Sequence, residues 1–313
     1  MRERGVGFGG DKFDVSALAS GNSGFGQGHP RGLDLRPELP ITSKDLIGID
    51  LTHIIHTHEV EAAKGGGGGG AGGGGGGGGS TSSFAPYTSG PTLASAGYNI
   101  TIDFVGTWTQ AYYDIFVAAA DRLTSLIIGD LPNVSVRSKG GVTTVDDIKI
   151  TAELGSIDGL YGILGQAGPT SVRTSGSLPA TATMKFDIAD VNAMSLAAFA
   201  DVVLHEMAHS LGFGSIWDRL GLVTNSLYTG QNAVAEFVEM GGQGNGIPVE
   251  QDGGSGTAGS HWDEEIFGNE LFTGYLNDGA NYFTEMSAAS FADLGYVIRQ
   301  DYAALTDPGY VFV

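Results

Sequence analysis

Between Gly65 and Gly79 the chain runs through fourteen glycines broken only by Ala71, and this tract decides where a packed core can form. Glycine loses more backbone entropy on ordering than any other residue and has no side chain to bury, so the stretch reads as a flexible spacer. No period of three accompanies it, which excludes a collagen helix. With the Ser/Thr/Pro-rich residues that follow, the tract divides the chain into an arm at 1–64, a linker at 65–92 and a continuous body at 93–313. That body has the usual size of one domain. The arm is rich in Gly and Pro and carries one apolar patch, Ile47–Ile55, with His53, His56 and His58 in and beside it. It reads as a polar arm, a second metal site or a pro-segment covering an active site.

Charge and cysteine usage narrow the chemistry. The formal net charge is −20: residues 1–64 hold 7 basic and 9 acidic side chains, and the rest of the chain 8 and 26. So acidic a body repels phosphate backbones and anionic lipid, which argues against nucleic-acid partners. With no cysteine in the chain, disulfides, thiolate zinc sites and thiol nucleophiles are excluded, and any metal must be held by His, Asp or Glu. No run of about 18 apolar residues predicts stable insertion into a membrane. The first twenty residues are basic at the start but lack an apolar stretch, so no conventional signal peptide is visible.

Within the body the periodicities alternate. Tyr98–Val105 alternates apolar and polar residues, as a strand does, and Asp147–Ala152 and Thr181–Ile188 are further strand candidates. Helical spacing covers Gln110–Ile128 and Leu196–Leu211, with shorter helices at Gln231–Met240 and Ser287–Leu294. Asp190 or Asn192 is the expected cap of the helix at 196. Strands and helices in this order, followed by a loop-rich tail, predict an α+β fold with a mixed sheet. Asp158, Asp187 and Asp190 suit a structural Ca²⁺, and turn and cap duties explain them equally well. No oligomeric state follows from the sequence.

The string His205-Glu206-Met207-Ala208-His209 carries the chemistry. Residues four apart share a helix face, so two imidazoles there can reach one ion. Glu206, beside the first, is placed to take a proton from water at the metal rather than to bind the metal itself. The apolar residues Ala200 and Val202–Leu204 before the motif distinguish it from a solvated surface helix. A catalytic zinc needs three protein ligands and an open position. The body contains three histidines, His205, His209 and His261; Glu236 is the rival third ligand, as in zinc proteases with two histidines and one glutamate. Gly212, three after His209, lets the chain leave the helix sharply. Asp263, Glu264 and Glu265 either orient His261 or face water.

The segments Gly129–Val134, Ile157–Arg173, Met184–Val191, Val202–Trp217 and Ile247–Gly274, with that around Met286, together resemble the leishmanolysin-like zinc metallopeptidases in a cysteine-free bacterial form. The resemblance spans about Tyr98 to Tyr302 and implies a metzincin fold, with a twisted mixed sheet, an active-site helix and a smaller loop-rich C-terminal subdomain. It implies Zn²⁺, endopeptidase action on proteins or peptides, and export from the cell. A long insertion before the third histidine belongs to this pattern, which selects His261; Ser215 stands at the position other metzincins give to that ligand. Met286 becomes the expected methionine turn beneath the metal. The alternative from another class is a secreted binding protein on a silent metzincin fold, and the intact Glu206 argues against it.

Overall fold

A computed structural model describes residues 84–138, 140–254 and 256–312. The arm at 1–64 with its histidines, and most of the glycine linker, lie outside the described residues.

The chain enters through a short strand, β1 (Tyr87–Thr88), followed by β2 (Ile100–Val105). Ile100, Ile102 and Phe104 of β2 are buried, and the residues between them are only partly covered. Helix α1 (Gln110–Leu126) follows, its start held by Thr109, whose hydroxyl accepts from the Tyr112 amide. A hairpin of β3 (Val134–Ser138) and β4 (Gly141–Val145) leads into β5 (Ile148–Gly155), β6 (Gly165–Val172) and β7 (Pro179–Asp187). The main sheet has the order β1-β2-β5-β7-β6. Strands β2, β5 and β7 run parallel, while β1 and β6 lie antiparallel at the two edges. The fold is therefore mixed α+β around a mixed sheet.

Strand β6 was not legible in its sequence, GQAGPTSV, which contains two glycines and Pro169. Its edge position explains the tolerance, because a proline there leaves no neighbour without an N–H. The register with β7 shifts between Pro169 and Ser171, as a bulge does.

Two helices follow β7 in place of one. Asp187 caps α2 (Ile188–Ala193), accepting from the Ala189 amide, and Ser195 caps α3 (Leu196–Ser210), accepting from the Ala198 amide. The expected cap at Asp190 or Asn192 is thus corrected: both residues lie inside α2. Helices α1 and α3 lie on the same face of the sheet, joined by a run of edge-on rings. Phe104 meets Phe116, Phe116 meets Phe186, and Phe186 meets Phe199, at 5.4, 5.5 and 5.4 Å between centroids.

Beyond α3 the elements are short: α4 (Trp217–Leu220), β8 (Val223–Thr224), β9 (Leu227–Tyr228), α5 (Gln231–Glu239), β10 (Ile247–Pro248), α6 (Glu264–Phe267) and α7 (Glu285–Leu294). Burial of Phe213, Trp217, Tyr228, Trp262 and Phe272 joins this loop-rich half to the core beneath α3 without a break. Among the described residues no helix is long and apolar enough to cross a membrane.

Candidate metal centre

Helix α3 brings His205 and His209 to one face, and a loop 52 residues onward brings His261 against them. All three are buried. Their Nε2 atoms lie 2.8 Å (205–209), 2.9 Å (209–261) and 3.1 Å (205–261) apart.

The other ring nitrogen of each histidine settles the tautomer. His205 Nδ1 lies 2.8 Å from the Leu271 carbonyl oxygen, His209 Nδ1 2.8 Å from that of Phe213, and His261 Nδ1 2.9 Å from that of Thr257. A carbonyl only accepts, so each Nδ1 carries the proton and donates. Each Nε2 then presents a bare lone pair, and three lone pairs this close cannot hydrogen-bond to one another. They suit a cation, and a tetrahedral ion about 2.0–2.1 Å from each nitrogen sets the nitrogens roughly 3.3 Å apart, close to the spacing seen.

Burial supports the same state. It lowers the pKa of His205 to about 3, with His261 as a further cause, and that of His261 to about 4. Burial, then His205 and His261, hold His209 well below the ordinary range. Neutral imidazoles are the form that binds metal. Among the described residues the groups whose ligand atoms converge within 4.8 Å are these three histidines and Asp130, Asp146 and Asp147. The donor set of the first fits zinc.

Glu206 is fully buried on α3. The main chain of β6 runs directly against it: a Cβ on Gly165 would stand 2.9 Å from both Cγ and Oε1 of Glu206. At the end of α3, Gly212 takes a φ of +111°, open to glycine and costly for other residues, and the Ser215 hydroxyl donates to the His209 carbonyl at 2.7 Å. Gly214 then meets the segment that delivers the third histidine, with space for a Cβ blocked by the Ser260 carbonyl.

The remaining candidates fall elsewhere. Glu236 lies on α5 and accepts from the Tyr302 hydroxyl, outside the convergent groups. Met286 is buried in the first turn of α7. Asp187 accepts from the amides of Ile157, Asp158, Gly159 and Ala189, Asp158 from that of Ile163, and Asp190 from that of Tyr161. Each of these three carboxylates thus has a turn or cap duty, and Asp190 uses one oxygen, Oδ1, for it. Asp263 caps α6 through the Glu265 amide, so the group that orients His261 is the Thr257 carbonyl and not the acids after it. The three orienting carbonyls, Gly165 and Gly214 were missed from the sequence. Backbone acceptors leave no mark on side-chain identity, and both glycines sit in a chain with 53 of them.

Comparison with known proteins adds a family. The model of the peptidase M8 family, leishmanolysin, matches residues 141–305, a stretch that includes Glu206, all three histidines and Met286. Leishmanolysin of Leishmania major is 28% identical over 185 residues, covering 54% of this chain and 30% of the relative. Leishmanolysin of Leishmania amazonensis is 30% identical over 170 residues, covering 50% and 27%. The leishmanolysin homolog of Crithidia fasciculata is 28% identical over 160 residues, covering 43% and 22%. The chain thus spans less than a third of the length of each of these relatives.

Proposed function

The chain belongs to the leishmanolysin family of peptidases, and from that premise we propose that it is a zinc-dependent endopeptidase acting on proteins or peptides. One observation carries the reading: three buried imidazoles, each with its Nδ1 proton given to a backbone carbonyl, turn three bare nitrogens to one point beside Glu206. His205, His209 and His261 are the ligands. Zinc, when bound, polarises a peptide carbonyl and makes water acidic enough to lose a proton near neutrality.

The chain's own residues do the rest. Glu206 takes the proton of the attacking water and returns it to the leaving amine, acting first as base and then as acid. The Nδ1 hydrogen bonds hold each ring in one orientation and keep its Nε2 basic. Met286 closes the floor of a metzincin-type site, with residues 93–313 as the peptidase domain and 1–64 as an arm or pro-segment joined by the linker at 65–92. The site of action is outside the cell. Capture of Glu236 by Tyr302 supports His261 over Glu236 as third ligand.

Zinc content and casein hydrolysis of the full chain, beside a Glu206→Ala control, test the reading. Wild type is expected to hold about one zinc per chain and to cleave, and the control to hold zinc without cleaving. A wild-type chain that binds no zinc would sink the proposal. A control that cleaves like wild type would remove Glu206 from its role.

A further inference from the structure

Behind the metal centre lies a second acidic residue that none of the chemistry above uses. Glu270 is fully buried, and both of its carboxylate oxygens accept hydrogen bonds. Its Oε2 accepts from the Phe272 amide at 2.6 Å; its Oε1 accepts from the Thr284 hydroxyl at 2.8 Å, the Thr284 amide at 3.4 Å and the Ser287 hydroxyl. Ser287 donates its proton to Glu270, and its oxygen accepts in turn from the Trp262 indole N–H at 2.8 Å, so the hydroxyl bridges the two.

These contacts join three pieces of chain at the histidines. Trp262 follows His261 directly, and its amide donates to the Phe272 carbonyl at 3.0 Å. Leu271, next to Glu270, offers its carbonyl to His205 Nδ1. Thr284 and Ser287 open α7. A carboxylate is not needed to cap that helix, since the Thr284 hydroxyl already accepts from the Ser287 amide. We propose that Glu270 is a positioning residue for the metal centre, fastening the Trp262–Thr273 segment to α7 so that the Leu271 carbonyl stays aimed at His205 and the chain beside His261 stays in place. The proposal rests on the three histidines being the metal ligands.

Glutamine at 270 keeps the size but replaces one acceptor oxygen by an NH2 group, which only donates, so one of its two ends meets a donor head-on. The test is zinc affinity of the full chain, measured by competition with a chelator, with the visible spectrum of the cobalt(II)-loaded chain as a reading of ligand geometry. Glu270→Gln is expected to weaken zinc binding about tenfold or more, as loss of groups that orient metal ligands does, and to alter the cobalt spectrum. Asp293→Asn serves as the comparison: it loosens α7 at its far end, where Asp293 accepts from the amides of Asn232 and Ala233. It is expected to lower Tm without changing zinc affinity. If Glu270→Gln does not fold, Ser287→Ala, which removes only the bridging hydroxyl, tests the same role by the same two readings. Wild-type zinc affinity in these variants overturns the proposal, as does an equal loss of affinity in Asp293→Asn for the same fall in Tm. A His205→Ala chain that kept its zinc would overturn the ligand assignment itself, which separates failure of that assignment from failure of the role of Glu270.

Discussion

Gly214 and Ser260 touch backbone to backbone: a Cβ on Gly214 would stand 2.1 Å from the Ser260 carbonyl oxygen, one residue before His261. Any side chain at 214 therefore pushes the third histidine away from the other two. Gly214 also has a φ of +65°, which alone strains an alanine. Gly221 separates the two effects, for it has a φ of +68° and nothing within 4 Å of the position of a Cβ. Gly221→Ala is expected to lower stability by about 1 kcal/mol and to keep its zinc. Gly214→Ala is expected to lose zinc at wild-type protein concentrations. Metal analysis after dialysis checks both, and equal zinc contents would show that the contact with Ser260 does not position His261.

Gly165 of the edge strand leaves room for the Glu206 side chain and for nothing more. Gly165→Ala forces that side chain into another rotamer while touching none of the histidines. If Glu206 is the general base proposed above, the expected result is an unchanged zinc content and KM with kcat lowered about a hundredfold, the lower end of what misplacing such a base costs. Steady-state kinetics on a peptide substrate checks this, and a variant with wild-type kcat would mean that β6 does not constrain Glu206.

The parts of the fold that could be read from the sequence are those governed by short-range pattern. Ile100, Ile102 and Phe104 alternate inward on β2, and the apolar run before His205 marks α3 as a buried helix, so both were expected within a residue or two. The four-residue spacing of His205 and His209 likewise follows from helix geometry alone. What remained hidden depends on contacts between distant residues. Pro169 speaks against a strand until its edge position is known. Nothing in the local sequence of Gly214 or Gly165 says that one lies under Ser260 and the other beside Glu206. Glu270 is one of 35 acidic residues, and only the fold surrounds it with donors. Asp187 reads from the sequence equally as a calcium ligand or a turn and cap residue, and only the fold shows the four amides that converge on it.

Acid is expected to act on the metal centre later than ordinary histidines would suggest. Burial lowers the pKa of His205 to about 3 and of His261 to about 4. In the metal-free chain the folded state thus binds fewer protons than the unfolded state from pH 6.5 down to those values. Stability from these groups is complete above 6.5 and is lost as pH falls through about 4 to about 3. Zinc, which competes with protons for the same nitrogens, is expected to stay bound at about pH 5 and to leave below about pH 4. Chelator-free gel filtration with metal analysis across this range tests it; complete release already at about pH 6 would mean that the imidazoles are not held neutral by burial.

Asp201 gives the opposite sign. It lies one turn before His205 on α3, and burial pushes its carboxyl from 3.8 up to about 7, with Asp307 adding to the rise and Asn281 and Arg122 opposing it. Asn281 donates to it at 3.2 Å, and Arg122 is itself engaged with Asp307 at 2.8 Å. Between about pH 4 and 7 the folded chain holds a proton that the unfolded chain has released, so stability from this group is present below 3.8 and lost as pH rises through about 7. Asp201→Asn removes that titration without changing the size of the side chain. The variant is expected to match wild type near pH 4 and to exceed its stability at about pH 8 by on the order of 4 kcal/mol. Urea unfolding of the two chains at both pH values decides the matter. A variant less stable than wild type at the higher pH would mean that Asp201 is ionised at little cost in the fold, with Arg122 its effective partner.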